Sequence, residues 1–136
     1  MTGAIEADTA PVRQRGRTLL GVTRGFVTVH AVAIFGQPVL AGRYLTGDYD
    51  MLALHAFGAD LVFYVALAQL VPTALLWWRT GVRWPFWGSL LLVVGETGQY
   101  FAGLSGVLDV HVPLGVALAA LASVMVVAVW RDGATR

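Results

Sequence analysis

The sequence predicts an all-α fold: an integral membrane four-helix up-down bundle made of two pseudo-symmetric helical hairpins. Three observations predict it. Hydrophobic residues make up 57% of the 136-residue chain and charged residues only 12%, where a soluble domain carries about 25% charged residues. Four mostly apolar stretches each reach the roughly 20 residues that a spanning helix needs. A short pattern of glycine, glutamine and histidine occurs once in each half. The same composition excludes intrinsic disorder, which needs low hydrophobicity and high charge. A net charge of +1 provides no field to draw nucleic acid, so none is expected as a partner. The chain has no cysteine, which excludes disulfides, thiolate nucleophiles and covalent c-type haem attachment.

Residues 1–20 read as a polar N-terminal tail carrying Glu6, Asp8, Pro11, Arg13, Arg15 and Arg17. The apolar run that follows has full span length and no small-residue cleavage site, so it reads as a retained helix, not a cleaved signal. Within a single domain at 21–131, the spans are expected at Gly25–Leu45, Met51–Trp77, Pro85–Leu104 and Val110–Trp130, with residues 132–136 as a C-terminal tail. Short connections make neighbouring helices antiparallel. Pro38 and Pro72 each remove a backbone hydrogen bond and free a carbonyl one turn back, at Ile34 and Ala68. Pro113 is expected in the first turn of the last span, where it breaks nothing.

Arginine placement orients the bundle. Arg13, Arg15, Arg17 and Arg24 precede the first span, Arg79 and Arg83 separate the second and third, and Arg131 and Arg136 follow the fourth. The other two loops hold Arg43 with Asp48, Asp50 and Asp109. The positive-inside rule then places both termini in the cytoplasm and the protein in the cytoplasmic membrane. Trp77, Trp78, Trp84, Trp87 and Trp130 fall at the cytoplasmic boundary and Tyr44 and Tyr49 at the outer one, as interfacial aromatics do.

The first span ends Gly36-Gln37-Pro38-Val39-Leu40-Ala41-Gly42 and the third Gly98-Gln99-Tyr100-Phe101-Ala102-Gly103. Each is followed by a short loop and a helix with a histidine near its start, His55 or His111. A glycine comes three or four residues later, Gly58 or Gly115. The alternative is chance recurrence in a chain rich in Gly, Ala and Leu. If the unit is duplicated, its two-span length makes the repeats parallel, and His55 and His111 face each other across the outer end. Two neutral imidazoles over a smooth glycine-lined slot are what a b-type haem needs. Gln37 and Gln99 are then candidates to bind the haem propionates or to orient the ligand rings. The plain structural alternative is that small residues glue membrane helices together and the histidines are simply solvated or hydrogen-bonded.

His30, Asp60 and Glu96 fall inside the spans. A charge at such depth costs at least about 2.5–3.5 kcal/mol, so all three are expected to face the interior, protonated or paired, as Asp60–Glu96 or as Asp60 with charged His30. Counting helical rise puts His30 roughly 6–9 Å closer to the cytoplasm than the two carboxyls. These residues read as a proton or ion path, a quinol head-group site, or an interhelical polar clamp. A small proton- or ion-coupled transporter using them, and a cofactor-free scaffold subunit, stand as alternatives to a haem-binding electron carrier or an accessory of a respiratory or haem-handling complex. No phosphate loop, nucleophile elbow or zinc-protease motif is present, and nothing favours an enzyme.

The Gly-Gln helix end, the loop and the His-bearing helix resemble one four-helix half of bacterial haem A synthase. They resemble more closely the small bacterial four-helix membrane proteins that look like one such half. The similarity covers about residues 30–130. It implies a haem held between a histidine of the second helix and one of the fourth, roles that fall on His55 and His111. This chain has one half where that family has two. It also lacks that family's outer-loop cysteines and a clear counterpart of its catalytic acid. The resemblance therefore implies the cofactor cage and not the haem-modifying activity.

Overall fold

Four helices account for almost every described residue. The structure, a computed structural model, describes residues 10–131, with side chains from Gly16 onward. The expected termini at 1–9 and 132–136, and the side chains of Arg13 and Arg15, lie outside the described residues. The helices are α1 (Ala10–Leu45), α2 (Met51–Thr80), α3 (Trp84–Leu104) and α4 (Leu108–Arg131), and no strand occurs among the described residues.

Two helix starts differ from the sequence reading. α1 begins at Ala10, so the arginine-bearing stretch expected as tail is helical. At 36 residues the helix is about 54 Å long, well beyond the ~30 Å of a hydrocarbon core. Hydropathy marks where the apolar part of a helix begins, and Arg17 and Arg24 hid the earlier turns. α4 begins at Leu108, so Pro113 lies in the second turn, not the first. There its missing N–H frees the carbonyl of Asp109. α2 runs past the expected Trp77 to Thr80, where Gly81 takes φ 76° and its N–H bonds the Trp77 carbonyl at 2.8 Å, a left-handed cap that glycine adopts without penalty.

Each helix packs against two others, α1 on α2 and α4, and α3 on α2 and α4; α1 and α3, like α2 and α4, stand on diagonals. Contacts between α1 and α2, and between α3 and α4, run in opposite sequence order. Gly16 lies beside Thr80, His30 bonds Gln69 and His55 bonds Gln37. On the other side, Met125 packs at Gly88, Leu118 at Gly95 and His111 at Gly103. One end of the bundle therefore collects Trp77, Trp87 and Trp130, and the other collects His55 and His111. At the tryptophan end Arg24 donates to the carbonyls of Val129 (3.1 Å) and Trp130 (3.3 Å). A cation here satisfies the last carbonyls of α4 and opposes the negative end of its dipole.

The distribution of polarity is inverted relative to a water-soluble bundle. Large apolar side chains point outward on every helix: Val32 and Phe35, Phe57 and Tyr64, Leu91 and Val94, Val116 and Val124. Inside, a core of residues such as Val27, Ile34, Val62, Leu92, Leu118 and Met125 shares space with buried Thr23, His30, Gln69, Thr73, Ser89 and Glu96. Three helices, α1 from Gly16, α2 and α4, are long and apolar enough to cross a membrane. The sequence reading expected a fourth span in α3. That helix turns Ser89 and Glu96 inward while Trp87, Leu91, Val94 and Phe101 face out, so polar residues lower its average without interrupting its outer face.

Candidate functional site

At the histidine end the two hairpins make the same contact twice. His55 Nδ1 lies 3.2 Å from the backbone carbonyl of Gln37, and His111 Nδ1 lies 2.9 Å from that of Gln99. A carbonyl only accepts, so each Nδ1 carries a proton and donates it to the glutamine carbonyl. The two imidazoles meet across the α2–α4 diagonal with ring centroids 6.1 Å apart and planes at 73°. Both histidines are half-buried.

The repeated motif acquires a physical meaning here. A histidine reaches a helical carbonyl only if the residue one turn further on is small. A Cβ built at Gly103 would lie 2.9 Å from Cε1 of His111. Ala41 holds the equivalent place in the first hairpin, and there the histidine–carbonyl distance is the longer of the two. Gly58 and Gly115 do a second job. The Gln37 amide occupies the space where a side chain of Gly58 would sit, and the Gln99 amide does so at Gly115. The sequence reading expected these glycines to open a slot for a ligand, and the structure seats the glutamine amides there. It also expected the glutamine side chains to orient the rings, whereas the backbone carbonyls do so. The amide oxygens Oε1 of Gln37 and Gln99 are both buried without a hydrogen-bond partner, which points to a ligand or water at that depth.

The separation of the two rings can be compared with that of two imidazoles sharing one metal. Two imidazoles on one metal, at about 2.0–2.1 Å per nitrogen, set their centroids roughly 6–6.5 Å apart. Each imidazole has one nitrogen held by a carbonyl, an arrangement that fixes ring orientation. No group of three or more His, Asp or Glu side chains suited to a metal ion occurs among the described residues.

The second set of sequence candidates divides. His30 and Glu96 are buried in the core, 1% and 6% exposed, with Nε2 and Oε1 2.8 Å apart. Asp60 is exposed, on the side of α2 that faces Tyr100. The expected pairings of Asp60 with Glu96 or His30 are not formed. Asp60 lies about 140° around α2 from His55 at five residues' spacing, and that rotation carries it out of the interior. The depth difference expected between His30 and Glu96 is bridged by the reach of their side chains. A three-residue ion site therefore does not assemble.

Sequence reasoning missed the partners of this pair. Gln69 Oε1 lies 3.2 Å from His30 Nδ1, and Gln69 Nε2 donates to Ser89 Oγ at 2.8 Å. Ser89 donates to the Pro85 carbonyl at 2.7 Å, and Thr73 to the Gln69 carbonyl at 2.9 Å. A usable signal was present: Gln69 and Thr73 continue the helical stripe of Val62, Ala66 and Leu76.

No protein-family model, no curated protein and no solved structure matches this chain.

Proposed function

We propose that this chain is an integral membrane four-helix bundle that holds one b-type haem between His55 and His111 and serves electron transfer at the outer face of the cytoplasmic membrane. The observation that carries this reading is the pair of imidazoles 6.1 Å apart, each tethered through Nδ1 to a glutamine carbonyl. The resemblance to one half of haem A synthase implies the same two ligand positions.

Membrane insertion is supported by the three long apolar helices and by the outward apolar faces around a polar interior. With α3 as the fourth span, the clustering of arginines and tryptophans at one end supports a cytoplasmic location for that end. The recurrence of the histidine–carbonyl contact supports two pseudo-symmetric hairpins related by an axis along the membrane normal.

A haem bound here would supply one-electron redox chemistry. The protein's part is done by named groups. His55 and His111 offer lone pairs at Nε2, the carbonyls of Gln37 and Gln99 hold the rings at a fixed angle, and Gly103 and Ala41 let the rings approach. Gln37 Oε1 and Gln99 Oε1 are acceptors for water or for a protonated haem carboxyl. The test is the absorption spectrum of protein purified from haem-replete cells. A Soret band and split visible bands on reduction are expected, and Asp60→Asn leaves them unchanged. A colourless preparation overturns the proposal.

A further inference from the structure

The bundle interior carries a second polar assembly that the haem reading does not use. Its members come from three helices: Thr23 and His30 on α1, Gln69 and Thr73 on α2, Ser89 and Glu96 on α3. α4 contributes only apolar residues to the interior, Leu118, Ala122, Met125 and Val129, and its charges lie at its ends, Asp109 and Arg131. The hydrogen bonds fix the protons. Gln69 Nε2 donates to Ser89, so Gln69 Oε1 is the atom that faces His30 and must accept from Nδ1–H. That leaves His30 Nε2 facing Glu96 Oε1 at 2.8 Å, a close but bent approach. A single proton between them, on the carboxyl or on the imidazole, would leave the pair neutral.

The pair is placed between the two ends of the bundle. Glu96 precedes Gln99 by three residues on one helical face, a rise of about 4.5 Å, and the Gln99 carbonyl holds His111. Glu96 Oε2 is buried without a partner, as is Gln99 Oε1 above it. Toward the tryptophan end, Thr23 lies two turns below His30 on the same face, with a buried and unpartnered hydroxyl. Thr23, Glu96 and Gln99 thus leave buried polar atoms without a partner at successive turns of α1 and α3.

We propose that His30 and Glu96 form a proton-binding station, coupled to the redox state of the His55–His111 site and filled from the tryptophan end past Thr23. This rests on the haem reading. When a one-electron donor adds an electron at the histidine end, the pair takes one proton from water and goes from one shared proton to two. It then carries His30 as imidazolium and Glu96 as carboxylic acid. Oxidation releases that proton. Charge is balanced inside a medium where an unbalanced charge is costly. The other ionisable groups of the spans do not bond the pair: Asp60 and Tyr64 are exposed, and His55 and His111 are held through Nδ1 by the carbonyls of Gln37 and Gln99.

Two measurements test it. Potentiometric titration of the haem-loaded protein on an electrode is expected to show a midpoint that falls with pH. The slope approaches about 59 mV for each tenfold change in proton activity, the one-electron constant. Glu96→Gln flattens that slope, and His30→Gln does so independently. A slope that persists in both variants, or a pH-independent wild-type midpoint, overturns the station while leaving the haem reading intact. Infrared spectra of haem-free protein across pH supply the second readout. They are expected to show a pH-dependent carboxyl band that is absent from Glu96→Gln. A carboxyl band unchanged by that substitution overturns the station even if the protein proves colourless.

Discussion

His111→Ala abolishes the haem spectrum of the purified protein, and His55→Ala does the same. Each imidazole has its second nitrogen already fixed on a glutamine carbonyl, so no neighbouring side chain replaces it at the same point. Loss of a group that merely orients a ligand costs about 10–100-fold in metal affinity, and loss of the ligand itself costs at least the upper end of that range. The measurement is haem content per chain, with circular dichroism to show that the helices persist. The steric route gives a graded counterpart. Gly103→Val places a branched side chain where even a Cβ would lie 2.9 Å from the His111 ring, so it pushes the imidazole off the Gln99 carbonyl and loses most of the haem. Gly103→Ala copies the Ala41 of the first hairpin and keeps it, with a lengthened His111 contact. Retention of a full spectrum by either histidine variant would remove that residue from the site.

Glu96→Leu lowers the stability of the bundle by about 1–3 kcal/mol, the cost of leaving a buried polar partner unsatisfied. Here the orphan is His30 Nε2, held in place because Nδ1 stays bonded to Gln69. Glu96→Gln keeps an N–H donor facing the neutral imidazole and is expected within about 1 kcal/mol of wild type. Thermal or denaturant unfolding in detergent, followed by circular dichroism, separates the two. A Glu96→Leu protein as stable as wild type would mean that the His30–Glu96 contact does not hold the core.

The helices were readable in the sequence because an apolar run of span length is a local property. Their starts were less so, since hydropathy fades at arginines before the helix itself ends. The histidine end was readable for a different reason: two copies of one motif place equivalent residues at equivalent depths, and His55 and His111 do meet. Three things were hidden. Backbone carbonyls carry no sequence signature, so the role of Gln37 and Gln99 as main-chain acceptors was assigned to their side chains. The space beside a glycine looks empty in a sequence, and only packing shows that the glutamine amides fill it. Facing direction depends on helix rotation, so Asp60, grouped with His30 and Glu96 by depth, turns outward to Tyr100. Ser89 looked isolated in the sequence, yet it is joined to Gln69 by a bond across 20 positions.

The most direct test of the central claim, two imidazoles on one iron, is electron paramagnetic resonance of the oxidised, purified protein at low temperature. The account predicts one haem per chain with a low-spin ferric signal, as two nitrogen ligands impose. A high-spin signal, or a low-spin signal that survives His55→Ala and His111→Ala, would contradict it.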